Sequence, residues 1–135
     1  MLYLLAMKNC LYCSKELKEG SRQRVYCSVV CQGTHSYETS VRDWKSGARI
    51  GHYGVTKAIA PFVRRYMFSK FESKCCKCGW NTSHPKTGKP PLDINHIDGD
   101  ASNTVESNLE LVCPNCHSLT LNYKNRNKGN GKRIR

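Results

Sequence analysis

The sequence predicts a small α+β fold whose short elements are held together by clustered cysteines. The chain has 135 residues and a hydrophobic content of 39%. A chain of this size usually needs more than its core to stay folded. Eight of its nine cysteines form four closely spaced pairs. Between the last two pairs, a turn-rich stretch of alternating apolar residues predicts a β-hairpin followed by a helix.

The first segment, residues 1–33, carries two of the cysteine pairs. They are Cys10-x-x-Cys13 and Cys27-x-x-x-Cys31. Two pairs at these spacings suit one tetrahedral zinc ion, with each pair on a tight turn. Residues 15–23 are polar and contain a glycine, as the tip of a hairpin does. The segment is therefore predicted to be a zinc-finger-like module.

Residues 34–73 are predicted to form a helical connector. Thr39 to Lys45 has a helical pattern, which is broken by three later glycines. Pro61 suits the first turn of a second helix. The helix has an apolar face predicted to lie in the core, formed by Phe62, Val63, Tyr66, Met67 and Phe71. His35 and His52 have no motif partner and are predicted to be ordinary polar residues.

The third segment, residues 74–123, holds the second set of paired cysteines. Cys75-x-x-Cys78 and Cys113-x-x-Cys116 are far apart in sequence, but a structural zinc site readily joins such pairs. Cys76 is left over and is predicted to be a free thiol. The sequence thus predicts two structural zinc ions per chain. His84 lies in a loop rich in proline and glycine, where a structural or exposed position is expected.

Residues 92–117 are predicted to form a ββα unit. Leu92 and Ile94 alternate with polar residues in a first strand. Asp98 to Asp100 supply a turn, and a polar loop follows. A second strand begins at Leu109, and Cys113 and Pro114 lead into a helix expected to start near Asn115.

The charge of the chain points to a polyanionic partner. The formal net charge is +12 and the isoelectric point is near 9.4. The predicted tail, residues 124–135, is basic and contains no acidic residue. Such tails bind phosphate backbones, so double-stranded DNA is the expected partner. The N-terminal module is equally compatible with a purely structural role and with direct DNA contact.

The sequence offers little sign of a membrane or of secretion. The tail has almost no apolar anchor, and residues 1–7 are apolar but lack the basic start of a signal peptide. C-x-x-C pairs favour metal-bound cysteines in a reducing compartment over disulfides. A cytoplasmic location without membrane contact is therefore expected. The pattern leaves the oligomeric state open.

The third segment resembles the HNH endonucleases, in particular those whose ββα-metal core is supported by four zinc-bound cysteines. The matching stretches are LDINHIDGD and SNLELVCPNCHSLT. The resemblance covers residues 74–126, with a looser likeness of the leading cysteine module to phage-type members. It implies a nuclease that hydrolyses DNA phosphodiester bonds, and phage or homing endonucleases are the family's usual setting.

The resemblance also implies roles for individual residues. His96 would be the general base that deprotonates a water, because a neutral imidazole titrates near working pH. Asn95 and His117 would bind one divalent cation, such as Mg²⁺, and His117 would thereby take part in catalysis. Asn108 would brace the loop and keep His96 aimed, or join the metal shell directly.

Asn95 departs from the family's commonest pattern, in which Asp or His precedes the base. A neutral amide oxygen brings no charge to a cation, so weaker binding, compensation by another carboxylate or reduced activity is expected. Asp93 would share a strand face with Asn95 and is a candidate for that compensation, although a solvent-facing role is as compatible. Asp98 and Asp100 are expected to be turn residues.

The alternative function is a non-catalytic, zinc-stapled DNA-binding protein with a degenerate HNH fold. The cysteines, the charge and the tail suit it equally well. His96, Asn108 and His117 favour the nuclease, because a pure binder needs no such combination. RNA is a weaker candidate substrate, since clustered aromatic residues for base stacking are lacking.

Overall fold

A computed structural model describes residues 8–18 and 25–124. Its contacts divide the chain into two compact units, one ending at Arg42 and the other beginning at Asp43. The basic tail from residue 125, the apolar residues 1–7 and the predicted hairpin tip at 19–24 lie outside the described residues. The elements are α1 (Val29–Lys45), β1 (His52–Tyr53), β2 (Ala58–Ile59), α2 (Pro61–Lys70), β3 (Asp93–His96), a 3-10 turn (Glu106–Asn108), β4 (Leu109–Val112) and α3 (Pro114–Ser118).

The first unit combines a short bridge with most of α1. Asn9 and Glu16 form an isolated antiparallel bridge. The helix begins ten residues before the predicted Thr39, because Ser28 caps it: the Cys31 amide donates to Ser28 Oγ at 3.1 Å. The predicted module boundary at residue 33 therefore falls inside α1, and the division into compact units falls inside it as well.

The second unit contains a hairpin that the sequence did not predict. β1 and β2 are antiparallel, with His52 opposite Ile59. Gly51 precedes the hairpin and lies against Thr104, whose Oγ1 accepts a hydrogen bond from the Gly51 amide at 3.0 Å. A Cβ on Gly51 would lie 2.7 Å from Trp44 Nε1, so the close approach requires glycine here. This hairpin replaces the irregular stretch expected from the glycines.

The predicted helix at Pro61 is confirmed as α2, with Pro61 in its first turn. Val63 and Met67 are fully buried, as the apolar pattern predicted. They belong to a core cluster with Trp44, Ala60 and Leu109, against which Ile59 and Ile94 also pack. The cluster joins the hairpin and α2 to β4, so these elements share one core.

The predicted strand pair is confirmed as β3 and β4. The pairing is antiparallel, with Asp93 opposite Val112 and His96 opposite Leu109. α3 starts at Pro114, one residue earlier than expected, and Cys113 Sγ accepts a hydrogen bond from the Cys116 amide at 3.4 Å. The small α+β fold is thus confirmed. None of the helices within residues 8–18 and 25–124 has the length and apolar character that a membrane crossing requires.

Candidate active site

The two sets of paired cysteines each come together in space. The Sγ atoms of Cys75, Cys78, Cys113 and Cys116 lie within 4.8 Å of one another. Cys78 Sγ and Cys113 Sγ are 3.7 Å apart. Two thiolates bound to a tetrahedral zinc ion at a Zn–S distance of 2.3 Å would lie about 3.8 Å apart. The spacing and the number of sulfur atoms therefore fit zinc.

The protonation of the second set shows why a cation suits it. Burial raises the pKa of Cys75, but backbone hydrogen bonds near Cys113 and Cys78 outweigh it and bring the pKa to about 6. The contact with Cys113 raises the pKa of Cys116 to about 12. Without a cation, the thiolate is favoured at Cys75 while Cys116 keeps its proton. Zinc instead binds thiolates and displaces the protons that the thiols carry.

The N-terminal cysteines form the same kind of group. The Sγ atoms of Cys10, Cys13, Cys27 and Cys31 also lie within 4.8 Å of one another. The distance between Cys13 Sγ and Cys27 Sγ is 3.6 Å, and that between Cys27 Sγ and Cys31 Sγ is 3.5 Å. Two four-cysteine clusters that fit zinc are therefore present, as predicted. Cys76 belongs to neither cluster, and its amide donates to the Leu111 carbonyl at 2.8 Å.

β3 separates the candidate catalytic residues onto two faces. Side chains alternate along a strand, so Asp93 and Asn95 lie on one face and Ile94 and His96 on the other. The first face is next to α3, since Asp93 Oδ2 lies 3.7 Å from Nδ1 of His117. The second face packs on the core that contains α2. Asn95 and His117 are thus on the α3 side, and His96 projects on the α2 side.

The α3 face groups an imidazole with oxygen ligands. The Asn95 Nδ2 group donates to Glu110 Oε1 at 2.8 Å, which leaves the amide Oδ1 as the end not turned toward Glu110. Lys77 Nζ lies 3.4 Å from the other Glu110 oxygen. Carboxylate, amide and imidazole donors are the types that a hydrolytic divalent cation uses. The chemical types of these donors therefore suit such an ion. The carboxylates of Asp93 and Glu110 share the face with the neutral Asn95.

These donors do not converge on one point as the cysteines do. Among the described residues, the sets of three or more Cys, His, Asp or Glu ligand atoms within 4.8 Å of one another are the two cysteine clusters. Asp93 pairs with His117, and Glu110 pairs with Asn95 and Lys77. The α3 face thus holds two neighbouring polar pairs.

His96 is half-buried at the end of β3, opposite Leu109. Its Nε2 atom is buried and has no hydrogen-bond partner among the described residues. Burial lowers the pKa of His96, the carboxylates of Asp98 and Asp100 partly oppose this, and the charge of His52 lowers it further. The imidazole is therefore neutral at pH 7, which is the form that accepts a proton.

Asn108 lies buried in the 3-10 turn, where it holds the loop between the strands. Its Oδ1 atom accepts from the Asp98 amide at 3.0 Å. Its Nδ2 group donates to Asp98 Oδ1 and to the Asn103 carbonyl, both at 2.8 Å. The Ile97 amide donates to the Asn108 carbonyl at 2.9 Å. Three side-chain contacts within the loop leave Asn108 as a brace for the segment that directly follows His96.

The two aspartates after His96 are occupied within the loop. Asp98 Oδ1 accepts from the Asp100 amide at 2.8 Å, and Asp98 Oδ2 accepts from Asn103 Nδ2 at 2.7 Å. Asp100 Oδ1 accepts from the amide and the hydroxyl of Ser102 at 2.9 and 2.6 Å. These bonds lower the pKa of both carboxyl groups. Both residues therefore stabilise the turn.

The structure gives His52 a setting that the sequence did not indicate. Its Nδ1 atom is buried without a hydrogen-bond partner among the described residues, and its charge acts on His96. His35 and His84 differ from it, because each bonds locally: His35 Nδ1 lies 2.8 Å from the Tyr26 hydroxyl, and His84 Nδ1 accepts from the Lys86 amide at 3.1 Å. No local motif around His52 could have revealed this neighbourhood.

Comparison with known proteins gives one partial similarity. The chain is 42% identical over 57 residues to the H-N-H endonuclease F-TflIV of Escherichia phage T5. The matched stretch covers 42% of this chain and 24% of the phage protein, so it spans about a quarter of that relative. No protein-family model and no solved structure gives a significant match. The similarity supports, at most, a relationship to the HNH nucleases.

Proposed function

We propose that this chain is a metal-dependent DNA endonuclease that hydrolyses phosphodiester bonds. One observation carries the proposal. A neutral, half-buried imidazole, His96, projects from one face of β3, and the donors Asn95 and His117 lie on the other side. The partial similarity to a phage H-N-H endonuclease supports the same chemistry. We further propose that the chain is a member of the HNH family with a ββα-metal core formed by β3, β4 and α3.

The proposed reaction assigns His96 as the general base. Its unpaired Nε2 atom would accept a proton from the attacking water. In-line displacement places the attacking and leaving oxygens on opposite sides of phosphorus. His96 is the last residue of β3 and Asn95 precedes it, so a phosphate bound at this end of the strand would be within reach of both the base and the cation donors.

The proposed cation site consists of Asn95 Oδ1 and His117, with Asp93 beside His117. A bound divalent ion such as Mg²⁺ supplies positive charge to the phosphate and the departing oxygen. Glu110 holds the Asn95 amide group through its Nδ2 atom, which directs Oδ1 away from Glu110. Asp93 and Glu110 supply negative charge on the face where Asn95 supplies none. His117 is thus a catalytic residue through the ion that it binds.

We propose separate roles for the remaining predicted residues. Asn108 is the brace of the loop that follows His96, since its side-chain bonds are made within that loop. The cluster of Cys75, Cys78, Cys113 and Cys116 binds structural zinc and fixes α3, which Cys113 caps at its N-terminus. The N-terminal cluster binds a second zinc ion. Double-stranded DNA is the proposed substrate, and a reducing cytoplasm is the proposed setting, because thiols remain free for zinc there.

The function is tested with supercoiled plasmid and the purified, zinc-loaded full-length chain. Addition of Mg²⁺ is expected to convert the plasmid to nicked or linear DNA, and omission of Mg²⁺ should leave it intact. A plasmid that stays supercoiled but is retarded in a gel would replace the proposal with the non-catalytic DNA-binding alternative. Single-stranded RNA of equal length serves as the control substrate and should stay uncut.

A further inference from the structure

His52 and His96 share an unusual property. Each has one buried imidazole nitrogen without a hydrogen-bond partner in the described part of the chain, His52 at Nδ1 and His96 at Nε2. No other side-chain nitrogen or oxygen of the described residues is left in this way. Such atoms destabilise a fold by about 1–3 kcal/mol each, so each requires an explanation. For His96, the explanation is its proposed role as a base.

The hairpin that carries His52 packs on the same side of β3 as His96. Ile59, which faces His52 across the hairpin, and Ala60, which follows it, pack in the core cluster with Leu109. Leu109 is the register partner of His96. The face of β3 that carries His96 therefore meets the β1–β2 hairpin, while the cation donors lie on the opposite face.

A second set of contacts ties the start of this hairpin to the loop that follows His96. The Gly51 amide donates to Thr104 Oγ1 at 3.0 Å, and Trp44 Nε1 donates to the Thr104 carbonyl at 2.6 Å. Thr104 is itself buried. His52 and Ile59 are register partners, so their side chains leave the hairpin on the same side, toward the cluster that contains Leu109. These contacts fix the hairpin that carries His52 on the side of β3 from which His96 projects.

A purely structural role would normally satisfy the polar atoms of His52 within the fold. His35 and His84 do so through the Tyr26 hydroxyl and the Lys86 amide. Only His52 and His96, among the described histidines, keep a buried nitrogen without a partner. The contrast points to a ligand that both residues contact when it binds.

We propose that His52 is a second catalytic imidazole, whose Nδ1–H group donates a hydrogen bond to a non-bridging oxygen of the phosphate being cleaved, beside His96. The inference rests on the nuclease function proposed above. Negative charge is distributed over the non-bridging oxygens of a phosphoryl group during in-line displacement. A donor already held in place there stabilises the transition state more than the bound substrate. The neutral imidazole with its proton on Nδ1 suffices for this role.

The test compares three substitutions of His52 in the full-length, zinc-loaded chain. His52→Ala removes the donor, His52→Asn places an amide near the Nδ1 position, and His52→Gln places one near Nε2. His84→Ala is the matched control, because His84 is exposed and its imidazole bonds within its own loop. The readouts are the single-turnover rate on supercoiled plasmid with Mg²⁺, the Kd for the same DNA, and the urea midpoint of unfolding.

Loss of one transition-state donor lowers a rate by roughly 100-fold or more. We expect that loss for His52→Ala with an unchanged Kd, partial recovery of the rate in His52→Asn, and no recovery in His52→Gln. His84→Ala should cut at the wild-type rate. If His52→Ala cuts at the wild-type rate while His96→Ala does not cut, the inference alone is overturned.

A merely structural role for His52 would give a different pattern. His52→Asn would then be no better than His52→Ala, and the rates would follow the urea midpoints, which also overturns the inference. Absence of cutting by the wild-type chain in Mg²⁺ would overturn the proposed nuclease function and this inference together. The wild-type lane of the same assay thus separates the two failures.

Discussion

The position of Asn108 leads to a prediction that separates a brace from a metal ligand. Its side chain makes three hydrogen bonds, to the Asp98 amide, the Asp98 carboxylate and the Asn103 carbonyl. Asn108→Ala removes them all. The two bonds to backbone groups contribute about 1 kcal/mol each, so the loss is about 2 kcal/mol. The bond to the exposed Asp98 carboxylate adds little to this loss, because water replaces it in the variant.

Asn108→Asp distinguishes the two roles more sharply, because the new carboxylate has nearly the same shape. It keeps the acceptor for the Asp98 amide but loses both donor bonds. It also places a negative charge where Nδ2 now lies 2.8 Å from Asp98 Oδ1. A brace is therefore weakened by this change at least as much as by alanine. A metal ligand would instead gain charge and bind its cation more tightly.

The assay is urea unfolding at fixed zinc concentration, together with hydrogen exchange at the Asp98 amide. We expect both Asn108 variants to lose about 2 kcal/mol of unfolding free energy or more, to exchange that amide faster and to cut DNA more slowly. Asn81→Ala is the control, because Asn81 is exposed. An Asn108→Asp chain as stable as the wild type, with tighter cation binding, would refute the brace.

Three further predictions address zinc, pH and packing. Elemental analysis should find two zinc ions per chain, and Cys113→Ser should lower this to one; a single zinc ion in the wild type would contradict the two-cluster account. Burial lowers the pKa of His96 below the ordinary histidine value of 6.5. In a plot of cleavage rate against pH, the midpoint of the fall on the acid side should therefore lie below pH 6.5. A midpoint above pH 6.5 would contradict the burial of His96. The same shift means that His96 contributes stability above pH 6.5 that is lost as pH falls, since the unfolded chain takes up the proton first. Gly51→Ala should lower the unfolding free energy by about 1–3 kcal/mol, because its Cβ would overlap neighbouring atoms. Gly33→Ala is the control and should be neutral or stabilising, since a Cβ there meets nothing within 4 Å. Equal unfolding midpoints for the two variants would contradict the packing around Gly51.

Local patterns in the sequence were sufficient for the parts of the fold that depend on neighbours in sequence. The cysteine pairs predicted both clusters, since each pair sits on one turn. The alternation around Ile94 predicted β3, and Pro61 marked the start of α2. Each cysteine pair, the strand and the start of the helix are encoded by residues a few positions apart, so spacing identifies them. The joining of pairs such as Cys78 and Cys113, which are 35 positions apart, followed from the four ligands that a structural zinc ion needs.

Other features depend on contacts between distant segments and could not be read in this way. The β1–β2 hairpin has strands of two residues each, too short for any period to be visible. It is stabilised by the approach of Gly51 to Thr104, which are 53 positions apart. The pairing of Asn95 with Glu110 likewise follows from the strand register. His52 was predicted to be an ordinary polar residue for the same reason.

The central claim is that His96 is the general base for DNA cleavage, while the two zinc clusters stabilise the fold. One measurement tests it most directly. Wild-type and His96→Ala chains, each shown to contain two zinc ions and to bind DNA equally, are incubated with supercoiled plasmid and Mg²⁺. Loss of a general base lowers rates on the order of 10²- to 10⁴-fold. The account predicts that the wild type nicks or linearises the plasmid and that His96→Ala leaves it supercoiled. Equal cutting by the two chains would contradict it.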